Sequence, residues 1–435
     1  MSMSVSATLA INDEVARRHS AGLSCLPLGF GEAGLPVHPL LTAELSRWSG
    51  VASYGPVTGI AALREAAAGY WQRRGLHTTA DQVIAGPGSK ALLWAVLRAC
   101  GGAVALPRPS WVSYAAQAAL HGLPVHLVPT PPGQGGAPDP ERLATVIKAA
   151  EAAGQPLTTV VLTLPDNPTG TLAARNTIAA VCELARKHNL TVVSDEIYRD
   201  LVHDAHADFV SPAELAPERV VVTTGLSKSL ALGGWRTGVA RFPATPAGDS
   251  LRADVAAIAS EVWSAPAQPI QRAAALAFTE PAALRERVRD SRRLHARIVA
   301  AVADVLIEAG ARLTYPSGGF YLYPDMRELA GRFGVADDTE LAAVLLYRCD
   351  MASLPGSTFG DDPAALRLRI ATGLLYGDDD EQRTAALQAE DPVRLPWIAD
   401  HLHQLNLALT GARADARPGR REPRPRRTSS PHDAS

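Results

Sequence analysis

The stretch VVVTTGLSKSLALGGWRTGVARF, Val220 to Phe242, opens on a β-branched run, Val220 to Thr224, and closes on a second, mostly apolar run, Val239 to Phe242. Runs of this length and composition read as two strands joined by a loop. The loop carries Gly225, Ser227, Ser229, Gly233, Gly234 and Gly238, small residues that let backbone approach a ligand closely. Its one lysine, Lys228, is the candidate catalytic centre. An amine partly desolvated on such a loop, with Arg236 nearby to depress its pKa, is nucleophilic toward carbonyls. Scarcity sharpens the choice, because the chain has only four lysines, Lys90, Lys148, Lys187 and Lys228, against thirty-eight arginines. Lys148 and Lys187 fall in polar helical runs, TVIKAAEAA and CELARKHN, where a solvated charge is the simpler reading.

Outward from this stretch the pattern is regular. From Gln82 to Phe242, short apolar runs recur at Val83 to Ala85, Ala103 to Leu106, Val125 to Val128, Thr159 to Thr163, Thr191 to Ser194, Val220 to Thr223 and Val239 to Phe242. Segments of helical period, such as ALLWAVLRACGG and PERLATVIKAAEAAG, separate most of them. This is the signature of βαβ units, so the fold class is α/β, with a mostly parallel seven-stranded sheet covered by helices on both faces. Ligands of such sheets bind at the carboxyl ends of the strands.

Outside the sheet the pattern changes. The first residues begin as a helical fragment, AINDEVARRHS, and continue as LPLGFGEAGLP, a loop or extended arm that reads as packing over another unit. After Ala256 the chain is helical through Ala309. It then offers GGFYLYPDM as a strand, a helix near Asp338 to Tyr347 and a strand over Arg367 to Thr372. The expected organisation is an arm and part of a small domain over 1–49, a large domain over 50–290 and a smaller α+β domain over 291–410. The tail from Gly411 to Ser435 is rich in Arg, Pro and Ser, cannot support a core and reads as disordered.

Composition excludes several functions. A chain of 435 residues can bury a large core, and a net charge of −2 argues against a nucleic-acid-binding surface. No apolar run approaches a membrane span, and Met1 to Ser20 is too polar for a signal peptide, so a cytoplasmic location is expected. The four cysteines lack CxxC spacing, and His203 and His206 lack a second ligand pair, so no metal site is expected.

Five sites fall at predicted strand ends or loops. Gly86-Pro87-Gly88-Ser89-Lys90 enters a helix, where backbone N–H groups and the helix dipole suit a phosphate. Asn167, in PDNPTG, precedes a proline that holds it extended and fixes its amide. Asp195, in SDEIY, ends a buried strand and needs a cationic partner. Lys228 with Arg236 is the fourth. Arg367, in LRLRIATG, is the fifth, because an arginine of an alternating strand has to face inward.

In this order YGPVTG, GPGSKALL, PSW, NPTG, SDEIY, GLSKSLALGGWRTG, PGSTFG and LRLRIA resemble the class I/II aminotransferases, fold type I pyridoxal-phosphate enzymes, over roughly Leu26 to Gly373. The resemblance implies that Lys228 binds pyridoxal 5'-phosphate as an internal aldimine and then moves the Cα proton. Asp195 would hold the pyridine nitrogen, Asn167 and Tyr198 the phenolic oxygen, and Trp111 would stack on the ring. Gly88, Ser89, Lys90, Ser227 and Arg236 would surround the phosphate, with Tyr54 reaching it from the neighbouring subunit of a homodimer. Arg367 would clamp the substrate carboxylate, with Gly31 and Asn167 beside it. Two departures stand out. Many relatives carry a phosphate-binding serine where this chain has Gly225, so that one phosphate contact is missing or supplied by Ser227 or Ser229. Where dicarboxylate-specific relatives supply a second arginine from the partner subunit, the matching position is Ser260, followed by Glu261 and Trp263. A non-acidic amino acid and a 2-oxo acid are therefore the expected substrates, with Glu261 or Trp263 against the side chain. Elimination or replacement on a modified amino acid or S-adenosylmethionine is the alternative, since the same scaffold supports it.

Overall fold

The apolar runs become strands, and the helical periods between them become helices. The computed structural model describes residues 5–410, so the expectation for the tail lies outside the described residues. Helix α1 (Ala7–Ser20), strand β1 (Leu26–Pro27), α2 (Pro39–Trp48) and α3 (Ala61–Gln72) come first. Strands and helices then alternate through β2 (Val83–Gly86), α4 (Ser89–Cys100), β3 (Ala103–Arg108), α5 (Val112–Leu120), β4 (Val125–Pro129), α6 (Pro140–Ala152) and β5 (Leu157–Thr163). They continue through α7 (Arg175–Lys187), β6 (Thr191–Asp195), α8 (Pro212–Leu215), β7 (Val220–Gly225) and β8 (Gly238–Arg241). The remainder is α9 (Pro246–Val262), α10 (Gln268–Phe278), the long α11 (Ala282–Glu308), β9 (Tyr321–Leu322), α12 (Arg327–Phe333) and α13 (Asp338–Cys349). It ends with β10 (Met351–Ala352), β11 (Leu354–Pro355), β12 (Leu368–Ala371), α14 (Asp380–Gln388) and α15 (Pro396–Thr410).

The seven expected runs form one sheet of order β2-β8-β7-β6-β5-β3-β4. Strands β3 to β7 pair in parallel, whereas β8 runs antiparallel to both β7 and β2. A parallel pairing needs a crossover helix, and the loop between β7 and β8 contains only the single turn Gly233–Trp235, so β8 returns antiparallel. Strands β6 and β7 are buried almost throughout, which is why they read as continuous apolar runs. Alternation divides their side chains between two cores. Val192, Val220 and Val222 face one layer with residues of α3, α7 and α10. Val193 and Val221 face the other, with residues of α4, α5 and α9.

A third core gathers Leu26 and Leu28 with the C-terminal half of α11, β9, β12, α13 and α15. β1 pairs with β10, and β11, β12 and β9 form a three-stranded antiparallel sheet. The strand predicted around Arg367 to Thr372 begins one residue later, at Leu368. The arm before Trp48 is thus tied to distant parts of the chain by a buried strand pair and by the Arg18–Asp350 ion pair at 2.5 Å.

Candidate active site

The carboxyl ends of β5, β6 and β7 lie side by side, with Thr163 paired to Asp195 and Asp195 to Thr223. Above them is a cavity of about 500 Å³ that Lys228, Asp195, Asn167 and Tyr198 line together with Ser89 and Arg236. Residues distant in sequence meet here because parallel strands deliver their ends to one edge of the sheet.

Each side chain is fixed by local structure. Lys228 sits in the β7–β8 loop, and its Nζ donates to the Gly31 carbonyl of the arm. The ring centroids of Phe320 and Tyr198 are 5.7 and 5.9 Å from that nitrogen. Asn167 is presented by a closed turn, in which the Asp166 N–H donates to Thr171 O at 3.0 Å and the Gly170 N–H donates to Asp166 O at 3.0 Å. Asp195 ends β6, 3% exposed, and Oδ2 accepts from the Tyr114 hydroxyl at 2.9 Å while Oδ1 accepts from the Ile197 N–H at 3.3 Å. Burial pushes its carboxyl up to about 6, against the pull of those hydrogen bonds. The Tyr198 hydroxyl is bonded to that of Tyr321 at 2.7 Å, and burial raises its pKa well above the usual phenol range.

The opposite wall is cationic. Gly88, at φ 86°, precedes α4, and a Cβ there would lie 2.6 Å from Nη2 of Arg236. The arginine therefore lies directly over the first turn of the helix, whose free N–H groups and positive dipole end suit an anion. Lys90 Nζ is 5.0 Å from the centroid of the half-buried Trp111 ring. Burial, then Arg236 and Lys228, lower the Lys90 pKa.

Arg367, Glu261, Trp263, Tyr54 and Ser229 do not line this cavity of their own chain. Arg367 does not enter this cavity. It is one third exposed, 3.7 Å from Asp325, and lines a separate groove with Arg108 and Tyr323. Arg369, two residues on, is 1% exposed and lines the cavity, with its guanidinium 4.9 Å from the Tyr321 ring and its Nη2 donating to Gly29 O. Period-two spacing alone does not separate the two arginines; Arg369 lies within β12, whereas Arg367 precedes it beside Asp325. Glu261 and Trp263 end α9 away from this cavity, Glu261 exposed and Trp263 packed on the core of α4 and α5. Tyr54 is 92% exposed and does not line the cavity of its own chain. Ser229 faces the far side of its loop, whereas Ser227 lines the cavity.

Gly225 has a steric reason. It pairs with Gly238, and a Cβ on it would lie 2.8 Å from Thr237 O, so a serine there has no room unless β8 moves. The sequence reading also missed Tyr114, Tyr321 and the α1 residues Thr8 and Leu9, all of which line the cavity. Tyr114 lay three residues beyond Trp111, one helical turn along. Tyr321 carried no signal beyond its place in an apolar run.

This arrangement matches a known family. Residues 28–377 fit the family model for aminotransferases of class I and II. The chain belongs to that family. It is 33% identical over 384 residues to an aspartate aminotransferase of Geobacillus stearothermophilus, covering 86% of this chain and 93% of that protein. It is 31% identical over 363 residues to the aspartate/prephenate aminotransferase of Thermus thermophilus, covering 82% and 89%. A solved structure, the Thermus thermophilus aspartate aminotransferase with maleate, superposes with a TM-score of 0.79 at 27% identity, covering 93% and 97%. This aminotransferase therefore has the fold type I architecture and uses pyridoxal 5'-phosphate.

The residues present fit that cofactor. Asp195 is a buried carboxylate that no ion pair among the described residues neutralises, and a protonated ring nitrogen would supply the missing cation. Asn167 Oδ1 is buried without a partner at the same edge, as is Arg369 Nε farther along the wall. Arg236 over the start of α4 suits a phosphate dianion. When bound, the cofactor supplies an electrophilic carbonyl and a ring that accepts the electrons released at a substrate Cα.

Proposed function

We propose that this aminotransferase exchanges an α-amino group between a non-acidic amino acid and a dicarboxylic 2-oxo acid, with Lys228 as the proton-transfer group. One observation carries the reading: Lys228, Asp195, Arg369 and Lys90 line a single cavity. The Lys228 amine is the group positioned to take the proton from Cα and to hand it back. Asp195, fixed by Tyr114 and the Ile197 N–H, holds a positive ring nitrogen in place. Arg369 takes the role expected of Arg367 and binds the substrate α-carboxylate, its desolvated fork favouring a bidentate anion.

Four cations line the cavity among the described residues, Lys90, Lys228, Arg236 and Arg369. With Arg236 turned to the phosphate end and Arg369 to the α-carboxylate, Lys90 is the one available to a second carboxylate. The names of the relatives, which include aspartate and prephenate, support an acidic partner in one half of the exchange. Leu9, Phe30 and the Trp111 ring offer apolar contact for the other. Glu261, Trp263 and Tyr54 remain open to a role only across a subunit interface, so the reading includes a homodimer in which Tyr54 of one subunit reaches the phosphate of the other. Among the described residues no helix is long and apolar enough to cross a membrane, and a cytoplasmic location goes with this proposal.

The test is a half-reaction panel on the holoenzyme. Aromatic and dicarboxylic amino acids are each expected to give the amine form of the cofactor and the matching 2-oxo acid. Release of ammonia or an alkene in its place would transfer the reading to elimination. Borohydride reduction followed by peptide mapping is expected to find the cofactor on Lys228.

A further inference from the structure

A second cavity, of about 550 Å³, lies behind the lysine loop and shares no lining residue with the first. Its floor is the far face of Thr224 to Leu230, and its walls are the segment after β6, the ends of α3 and α10 and the start of α11. The charges within it are unequally paired. Arg74 is held by Asp200 at 2.8 Å and Glu280 at 2.6 Å, and Arg199 by Glu196 at 2.9 Å and Glu214 at 3.8 Å. Those contacts occupy the acids of the inner wall.

Helix α11 then presents Arg285, Arg289 and Arg292 to the cavity, at i, i+4 and i+7, on one helix face. Among the described residues Arg289 forms an ion pair only with Glu286 of its own helix, at 3.0 Å, and Arg285 donates to the backbone carbonyl of Glu280. Among the described residues no carboxylate forms an ion pair with Arg285 or Arg292. Asp204 is the remaining acid on the rim, and its Oδ1 accepts from the His206 N–H at 2.8 Å. Three like charges stacked along a helix repel one another, and an anion placed among them removes that repulsion. Beside them Phe209, Phe278, Leu226 and Leu284 supply an apolar surface.

We propose that this cavity is an effector site for a small organic dianion with an apolar body, its oxyanions taken by the Arg285, Arg289 and Arg292 forks. The guanidinium fork matches carboxylate and phosphate geometry alike. Occupancy is coupled to catalysis through two elements. Leu226 and Ser229 of the floor flank Lys228 in sequence, and α11 runs on to bury Leu294, Ile298 and Val302 in the third core. A ligand tying the arginines to the floor fixes the lysine loop against that helix, and its binding energy is felt at the substrate site.

Calorimetry on the holoenzyme with phenyl phosphate and with phthalate tests the site and separates a phosphate ester from a dicarboxylate source. The expected result is one site per chain for at least one probe, with binding roughly tenfold weaker or more in the double variant Arg285→Ala/Arg292→Ala. The KM of the amino-acid substrate should shift by about fivefold under saturating probe in the parent and stay unchanged in the variant. Both arginines are outside the catalytic cavity, so the variant should keep the parent's rate without probe. Binding that survives the double substitution, absence of binding for both probes, or a KM that saturating probe leaves unmoved overturns the proposal. None of these readouts depends on which amino acid is the natural substrate.

Discussion

Arg367, just before β12, and Arg369, within it, are two residues apart and reach different grooves. Arg369→Ala is therefore expected to raise the KM for both amino acid and 2-oxo acid by roughly thirtyfold or more, the loss of a desolvated charge pair worth about 2 kcal/mol. Arg367→Ala should change it by less than about threefold, as for a partly exposed ion pair. Steady-state kinetics on the two variants decides, and the reverse order would return the assignment to Arg367. A second residue, Asp166, is 1% exposed, and burial pushes its carboxyl up to about 7. A folded pKa above the unfolded one contributes stability that is complete below about pH 4 and is lost as pH rises through about 7. Asp166→Asn should remove that loss, leaving the variant more stable than the parent at pH 8 by on the order of 2–4 kcal/mol and little changed at pH 4. Thermal denaturation between pH 4 and 8 reads this directly, and parallel curves for the two proteins would contradict it.

At the scale of elements, the site depends on how closely β8 approaches the start of α4. A Cβ on Gly238 would run into the Ser89 N–H, so Gly238→Ala should push that helix start away and weaken cofactor binding by about tenfold, some 1.4 kcal/mol, without touching a catalytic group. Gly50→Ala, at an open position, is the matched control. A fluorescence titration of the cofactor in which both variants bind like the parent would show that the contact is slack. The sheet was legible in advance because β-branched runs buried on both faces announce themselves without alternation. The choice between two arginines in LRLRIA was not, since period-two geometry treats them alike and only the packing of Tyr321 and Phe359 around Arg369 separates them. Gly225 was legible as a departure, while its cause, the backbone of Thr237, became visible only once β7 and β8 were paired.

At the scale of the whole molecule, the proposed homodimer makes a prediction that a single chain cannot. Tyr54 is exposed and does not line its own cavity, so Tyr54→Ala and Lys228→Ala should each be inactive or impaired alone, yet complement one another when subunits are mixed. A hybrid dimer keeps one intact site, and an equal mixture in which half of the dimers are hybrids should recover about a quarter of the parent activity. Activity that never rises on reassortment would place Tyr54 outside the partner's site.

What the sequence by itself determined is the set of chemical groups and the strand ends that carry them. Lys228, Asp195, Asn167 and the Gly88-Ser89 turn each sit where a buried parallel strand meets a loop or a helix begins, a local feature that composition and period reveal. Tertiary structure alone decided which groups share a cavity. Tyr114 and Tyr321 join because hydroxyls find partners only when distant elements are packed, and Glu261 and Trp263 stay out of the cavity of their own chain because α9 ends on another face. Ser227 and Ser229 part company because the loop between β7 and β8 has two sides, one turned to each cavity.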